Sequence, residues 1–263
     1  MKTALTIAGS DSSGGAGIQA DIKAMSANKV FAMSVITAIT AQNTMGVYDI
    51  LDVTPKMIKE QIKAVFSDIT VDAVKIGMVS KIESINAIAD SLSDINNLPF
   101  VVVDPVMVST SGCKLLSEDA KDTLIKRLFS IATLITPNLP EAEEILNMKI
   151  NNVEDMKIAA AKLIDLGCSS VLIKGGHMDE NEEMATDLLY DGKEYTIFSK
   201  KRVKSTCTHG TGCTLSSAIA ANLANGMNLK ESVEKGKEYV TNAIKNATKI
   251  GHGKGPTNHF YML

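Results

Sequence analysis

A net charge of −3 over 263 residues, 45% of them hydrophobic and 22% charged, describes an ordinary globular chain. The length admits one large α/β domain or two smaller ones, and the missing basic excess argues against a nucleic-acid-binding protein. The four cysteines, Cys113, Cys168, Cys207 and Cys213, form no C-x-x-C pair, so neither a disulfide scaffold nor a paired-cysteine zinc site is expected.

Residues 3–8 read as a short apolar strand ending at Gly9, too short for a signal-peptide core. No later run of ~20 apolar residues offers a membrane span, and a cytoplasmic location is expected. The pattern then predicts a helix over 15–28, a β-rich run over 31–39 and a helix over 55–67, where Met57, Ile58, Ile62, Val65 and Phe66 fall on one face. A strand at 73–76, a helix at 82–92, a wholly apolar strand at 100–103 and a helix at 118–128 follow. After a strand at 133–135, Asn138 is placed to cap a helix with Pro140 in its first turn and acids near its positive end. A helix at 153–166 ends at Gly167, and a buried strand follows at 170–173. Residues 183–190 and 194–200 flank Asp191-Gly192, a hairpin turn signal. Helices over 210–225 and 229–246 close the chain.

Apolar strands alternating with amphipathic helices imply βαβ units and a mostly parallel sheet covered on both faces. The hairpin adds an antiparallel edge. No repeat, low-complexity segment or linker interrupts residues 1–263, so one domain is the expectation. In such a sheet, ligands bind beyond the carboxyl ends of the strands, and the informative residues fall just there.

Gly9 to Gly17 is a Gly-rich turn that lets backbone approach a small ligand, and Asp21 one turn into the helix could aim a carboxylate at it. Residues 15–20 match G-x-G-x-x-A, yet the acid a dinucleotide site needs after the second strand is missing. Gln42 offers both a donor and an acceptor, which suits a ring nitrogen beside an amino group. Asp104, at the end of the apolar strand, and Glu141 are candidates to act near a hydrated Mg²⁺, although capping alone accounts for the acids around Asn138. Residues 109–112 are small enough to move as a flap. Lys174 leaves a strand beside Gly175 and Gly176 and could reach a phosphate; His177 after them reads as a surface loop residue.

The strongest feature is Thr208-His209-Gly210-Thr211-Gly212-Cys213-Thr214 at a helix start. Gly210 and Gly212 leave amides uncovered, and the helix dipole adds positive charge, so an anion hole for a moving phosphoryl group is expected. The same field should favour the thiolate of Cys213. There is no G-x-x-x-x-G-K-[ST], H-E-x-x-H or G-x-S-x-G motif.

The strings TIAGSDSSGGAGIQADIK, TAQNT, KIGM, DPVMV…TSG..LL, TPNLPEAE, KGG, THGTGCT and GHGKGPTNH run through nearly the whole chain. Together they resemble the hydroxymethylpyrimidine kinase family of the ribokinase superfamily. The resemblance implies a three-layer α/β/α ribokinase-like fold and two successive ATP-dependent phosphorylations of an aminopyrimidine alcohol in thiamine biosynthesis. It implies that Gly9, Asp21, Gln42 and Met78 bind the ring, and that Lys174, Asn138 and Thr208 bind ATP. Asp104 and Glu141 would organise Mg²⁺, Gly210, Thr211 and Gly212 would build the anion hole, and Cys213 would act as general base. It further implies a small-molecule substrate and a homodimer. Cys113 stands where the family pattern has an acid, and Cys207 where Asn or Ser is more usual. A pyridoxal kinase on the same fold is the main alternative. A non-catalytic pyrimidine-binding module and a nicotinamide-dependent oxidoreductase are weaker ones.

Overall fold

The computed structural model describes residues 1–108, 112, 115–117, 119–176 and 183–262. The flap residues at 109–111, Cys113 and His177 lie outside the described residues. Nine strands join one sheet: β1 (Thr3–Asp11), β2 (Phe31–Gln42), β3 (Val47–Asp52), β4 (Ala73–Ile76), β5 (Phe100–Val103), β6 (Leu134–Ile135), β7 (Val171–Lys174), β8 (Met184–Tyr190) and β9 (Tyr195–Lys201). The helices are α1 (Gly17–Ala27), α2 (Pro55–Phe66), α3 (Ile82–Ser93), α4 (Ala120–Leu128), α5 (Leu139–Leu146), α6 (Val153–Ile164), α7 (Thr211–Ala224) and α8 (Leu229–Lys245). None of them is long and apolar enough to cross a membrane.

The strand order is β3-β2-β1-β4-β5-β6-β7-β8-β9. The pairs from β2 through β7 are parallel, while β3 and the β8–β9 hairpin run antiparallel at the two rims. Period-two alternation sends neighbouring side chains to opposite faces. Val101 and Val103 of β5 enter one core with Ile58, Ile62, Ile85, Ile88, Leu124, Met156 and Leu163 from α2, α3, α4 and α6. Val102 enters the other, with Met25 of α1, Leu215 and Ile219 of α7, and Val233 and Val240 of α8. The fold is therefore a three-layer α/β/α sandwich. Chain connections leave β1 toward β2 on one side and return to β4 on the other, so a crevice opens between the carboxyl ends of β1 and β4.

The α5 start is as expected: Asn138 Oδ1 accepts the Glu141 N–H at 2.9 Å, and the Glu141 carboxylate accepts the Asn138 N–H at 2.8 Å. The hairpin turn is also there, with Asp191 Oδ1 accepting the N–H groups of Lys193 and Glu194 and Gly192 at φ 86°. Three expectations are corrected. β1 and β2 run on to Asp11 and Gln42, because pairing resumes after a bulge with Ser10 opposite Ile39 and Asp11 opposite Thr40. Strand β3, in a stretch for which the sequence pattern predicts no element, pairs with β2 from Asp52 to Val47. Helix α1 begins at Gly17, two residues later than expected, because Asp11 accepts the Gly15 and Ala16 N–H groups and holds that stretch as a loop.

Helices α7 and α8 meet closely at Gly236, where an added Cβ would stand 2.8 Å from Ile219 Cγ1. Ile219 is β-branched and fully buried, so it has little room to yield. Gly236→Val should therefore lower stability by about 1–3 kcal/mol, the usual cost of overpacking, read as a lower urea midpoint with an unchanged slope.

Candidate active site

Two Gly-rich turns meet backbone to backbone at the carboxyl edge of the sheet. Gly210 caps α7 at φ 77°, and a Cβ there would lie 1.8 Å from the Gly15 carbonyl oxygen. A Cβ on Gly15 would in turn lie 2.3 Å from the His209 ring. A buried pair fastens the two turns, His209 Nε2 standing 2.8 Å from Asp11 Oδ2. Asp11 also accepts the N–H groups of Ser13, Gly15 and Ala16 and the Ser13 hydroxyl. Burial works to raise the Asp11 carboxyl, but these bonds from His209, Ser13 and Ala16 overcome it and hold it at about 2.

A third segment closes the arrangement. Near the carboxyl terminus, Gly253 N–H donates to Thr44 Oγ1 at 3.1 Å and Lys254 N–H to the Thr44 carbonyl at 3.1 Å. The Gly255 carbonyl then accepts the His209 N–H at 3.0 Å. The turn after β2 is thereby tied to the start of α7. Between them lies a cavity of about 400 Å³, with Gln42, Asn43, Thr44, His209 and Gly253 in its lining. The Gln42 side-chain oxygen accepts the Thr40 hydroxyl at 3.1 Å. Deeper in the crevice Met78 packs on Gly9, where a Cβ would lie 3.0 Å from Met78 Sδ.

The anion-hole turn stands against the candidate phosphate and cation groups. A Cβ on Gly212 would lie 3.3 Å from Asp104 Oδ2 and 3.5 Å from Lys174 Nζ. Gly212 and Cys213 are in the first turn of α7, whose N–H groups have no acceptor within the helix. Thr211 donates its hydroxyl to the Thr208 carbonyl at 2.7 Å, which tightens the turn. Asp104 is buried; it accepts Lys174 Nζ at 2.6 Å and the Thr136 hydroxyl at 3.0 Å. Burial would raise the Asp104 carboxyl, but the Lys174 and Lys75 charges bring it below the usual range. Glu141 behaves oppositely. Burial lifts its carboxyl to about 7; Lys174 opposes the rise, and the like charge of Asp104 adds to it. Asn138 sits beside Lys174 through the Pro137 carbonyl, which accepts the Lys174 N–H at 2.8 Å, and its side-chain oxygen is committed to capping α5.

Among the described residues no three potential metal-ligating side chains gather. Two crowded carboxylates, one of them reluctant to ionise, suit a hydrated divalent cation that relieves their mutual repulsion, not a closed cage of protein ligands.

Two expected site residues have surroundings the sequence pattern does not predict. Asp21 has no carboxylate oxygen without a partner in the ligand-free protein. It is wholly buried, bonded to Thr6 Oγ1 at 2.6 Å, to Lys75 Nζ at 2.9 Å through both oxygens and to Ser217 Oγ at 2.7 Å. Nor does the start of α7 favour the Cys213 thiolate in the ligand-free protein. Lost hydration pushes the thiol up to about 11, outweighing the Lys75 charge and the Gly17 N–H that act the other way.

Sequence reasoning missed Asp11 and His209, which lay inside motifs read only for their glycines. It also missed Lys75, a lone cation in an otherwise apolar strand, and the pair Asp187–Lys237. Asp187 accepts the Gly175 N–H at 3.0 Å and Lys237 Nζ at 2.6 Å, fixing the turn that carries Lys174.

The model of the phosphomethylpyrimidine kinase family matches residues 11–258. A hydroxymethylpyrimidine/phosphomethylpyrimidine kinase of Rhizobium meliloti is 50% identical over 98% of this chain and 97% of its own length. The thiamine biosynthesis bifunctional protein ThiED of Geobacter sulfurreducens is 48% identical over 97% of this chain, which spans 51% of that longer protein. A crystal structure of a phosphomethylpyrimidine kinase from Clostridium difficile 630 superposes with a TM-score of 0.82 at 51% identity, over 93% of this chain and all of that one. A Bacillus subtilis pyridoxal kinase in complex with ADP superposes with a TM-score of 0.90 at 37% identity, over 100% of this chain and 98% of that one. By the extent of the family match and the identity to its full-length relatives, the chain belongs to the phosphomethylpyrimidine kinase family.

Proposed function

We propose that the chain, acting as one kinase domain over residues 1–263, uses ATP to phosphorylate 4-amino-5-hydroxymethyl-2-methylpyrimidine and then its monophosphate. The product is the diphosphate used in thiamine biosynthesis. The observation that carries the reading is the approach of Gly212 to both Asp104 and Lys174, which puts first-turn amides, a carboxylate and an ammonium around one point. The higher identity to pyrimidine kinases than to the pyridoxal kinase favours the pyrimidine alcohol. The shared fold keeps pyridoxal as the competing substrate.

In this reading Gln42 pairs with the amino-bearing edge of the ring, and Gly9 and Met78 form its floor. Lys174 leaves its partner Asp104 to hold ATP phosphates, with Asn138 and Thr208 beside the nucleotide. The amides of Gly212 and Cys213 and the turn through Gly210 and Thr211 receive the charge that spreads over the moving phosphoryl oxygens. Cys213 takes the proton of the substrate hydroxyl. Mg²⁺, held through its waters by Asp104 and Glu141, would neutralise phosphate charge when bound. ATP as co-substrate and the free thiols of Cys168, Cys207 and Cys213 suit the cytoplasm. Exposed Ile39, Met45, Tyr48 and Leu51 along the β2–β3 rim supply the apolar surface for a homodimer.

The test is mass spectrometry of products formed from the pyrimidine alcohol, ATP and Mg²⁺, with pyridoxal as competitor. Monophosphate and then diphosphate are expected; phosphorylation of pyridoxal alone would overturn the assignment. Cys213→Ala should slow the first transfer by about 10²–10⁴ and the second far less, because a phosphate oxygen is already charged near neutral pH. Equal losses in both steps would remove Cys213 from the role of base.

Glu141 gives a pH-dependent prediction. Its carboxyl rises from 4.5 unfolded to about 7 folded, so the ligand-free fold suffers no penalty below pH 4.5 and a growing one as pH climbs toward 7. Glu141→Gln should therefore raise ligand-free stability above pH 7 by up to about 3 kcal/mol and leave it unchanged near pH 4. Urea titrations across that range read the difference.

The dimer is tested by sedimentation equilibrium. Two chains per particle are expected for the wild type and one for Leu51→Lys, and a monomeric wild type would exclude it.

A further inference from the structure

The chain beyond α8 returns to the candidate active site as a strap. Gly255 N–H donates to the Thr206 carbonyl at 3.0 Å, beside the bond from the His209 N–H to the Gly255 carbonyl. Pro256 pairs with His209 as a short parallel bridge, so the strap runs along the segment that leads into α7. Its far end is pinned to α8: the Asn258 N–H donates to the Ala243 carbonyl at 3.0 Å, and the Tyr239 hydroxyl to the His259 carbonyl at 2.7 Å. There the buried imidazole of His259 places Nε2 3.0 Å from Thr214 Oγ1, itself wholly buried in α7.

Hydrogen counting gives this contact a direction. A threonine hydroxyl carries one hydrogen. Thr214 Oγ1 lies 2.8 Å from the Gly210 carbonyl oxygen, one turn back on α7, and that bond takes the hydrogen. Thr257 Oγ1 lies farther off, at 3.4 Å. The imidazole is then the donor, through a hydrogen on Nε2. Burial, with a smaller push from the Lys23 charge, brings the His259 imidazole down to about 4, so it is neutral near pH 7 and one nitrogen carries the hydrogen.

The Gly210 carbonyl receives a second hydrogen from the Thr214 N–H at 2.8 Å. Two donors on one carbonyl fix the rotation of its peptide. That constraint is needed at Gly210, which has no Cβ and stands at φ 77°. The contact with Gly15 fixes where Gly210 lies, and the two bonds fix how its peptide is turned. The amides of Gly212 and Cys213 follow within the same helical turn, and preorganised donors stabilise a transition state only while they keep their aim. We propose that His259 is a positioning residue for phosphoryl transfer: by donating to Thr214 it locks the Gly210 carbonyl, and with it the first-turn amides of α7. This rests on the reading of that turn as the anion hole and extends it to a residue on the far side of the helix start.

The test compares kcat and KM in the full chain, using whichever alcohol the wild type phosphorylates. His259→Leu should lower kcat by about tenfold or more and leave KM for alcohol and ATP within about twofold, because the amides act on the transition state. His259→Gln, whose amide can donate in place of the imidazole, should recover most of the loss. Should the Leu variant not fold, Thr214→Val, of the same shape without the hydroxyl, decides by the same split. In the double variant the losses should not add, since both changes cut one chain of bonds. Long-range ¹H–¹⁵N spectra of wild-type protein with labelled histidine should show His259 as the neutral Nε2-protonated tautomer, assigned by its absence in His259→Gln. An Nδ1-protonated ring, a Gln variant no better than Leu, or a loss confined to KM overturns the proposal. A wild type that phosphorylates no alcohol overturns the functional reading instead; an active wild type with equally active variants overturns this proposal alone.

Discussion

Two stretches of bare backbone, pressed together with no side chain between them, hold the carboxyl edge of the sheet in shape. Gly210 lies against the Gly15 carbonyl so closely that even a methyl group would collide. The positive φ at Gly210 turns the chain straight into α7. The Asp11–His209 pair fastens the contact from below, and the segment around Gly253–Gly255 fastens it from the side through Thr44 and His209. Because α7 begins at this contact, the direction of its first amides is set by the fit of Gly210 against Gly15.

Charge is distributed with equal economy. The groups proposed to face a ligand, Lys174, Asp104 and Glu141, neutralise or frustrate one another in the ligand-free protein. Lys174 and Asp104 are joined at 2.6 Å, and Glu141 is driven toward its protonated form. Asp21 with Lys75 and Asp187 with Lys237 are closed pairs, the first joining α1 to β4 and the second holding the turn after β7. Both kinds are buried; they differ in whether their hydrogen bonds are already complete.

Where the determinant is local, the sequence was enough. An apolar run ending in Asp104 placed that carboxylate at a strand end, Asn138 announced a helix, and Asp191-Gly192 announced a hairpin. Strand β3 was not legible because its residues are half-buried or exposed and only pairing with β2 makes them a strand. The burial of Asp21 was not legible for a similar reason: its partner Lys75 lies 54 residues away, and no local pattern says that the two meet. At Cys213 the helix start was legible, but the loss of hydration that pushes the thiol up belongs to the assembled layers.

The floor of the crevice, where a methionine thioether rests on Gly9, has a bearing on molecular discrimination. A thioether on three rotatable bonds accepts many outlines and rejects few, so in the proposed reading it would hold a flat heteroaromatic by its face without measuring its perimeter. Selectivity then falls to the rim, where a single amide side chain can match one pattern of ring nitrogens and substituents better than another. On that reading, exchanging polar groups along the rim, with the sulfur bed left alone, would change which flat ring is accepted.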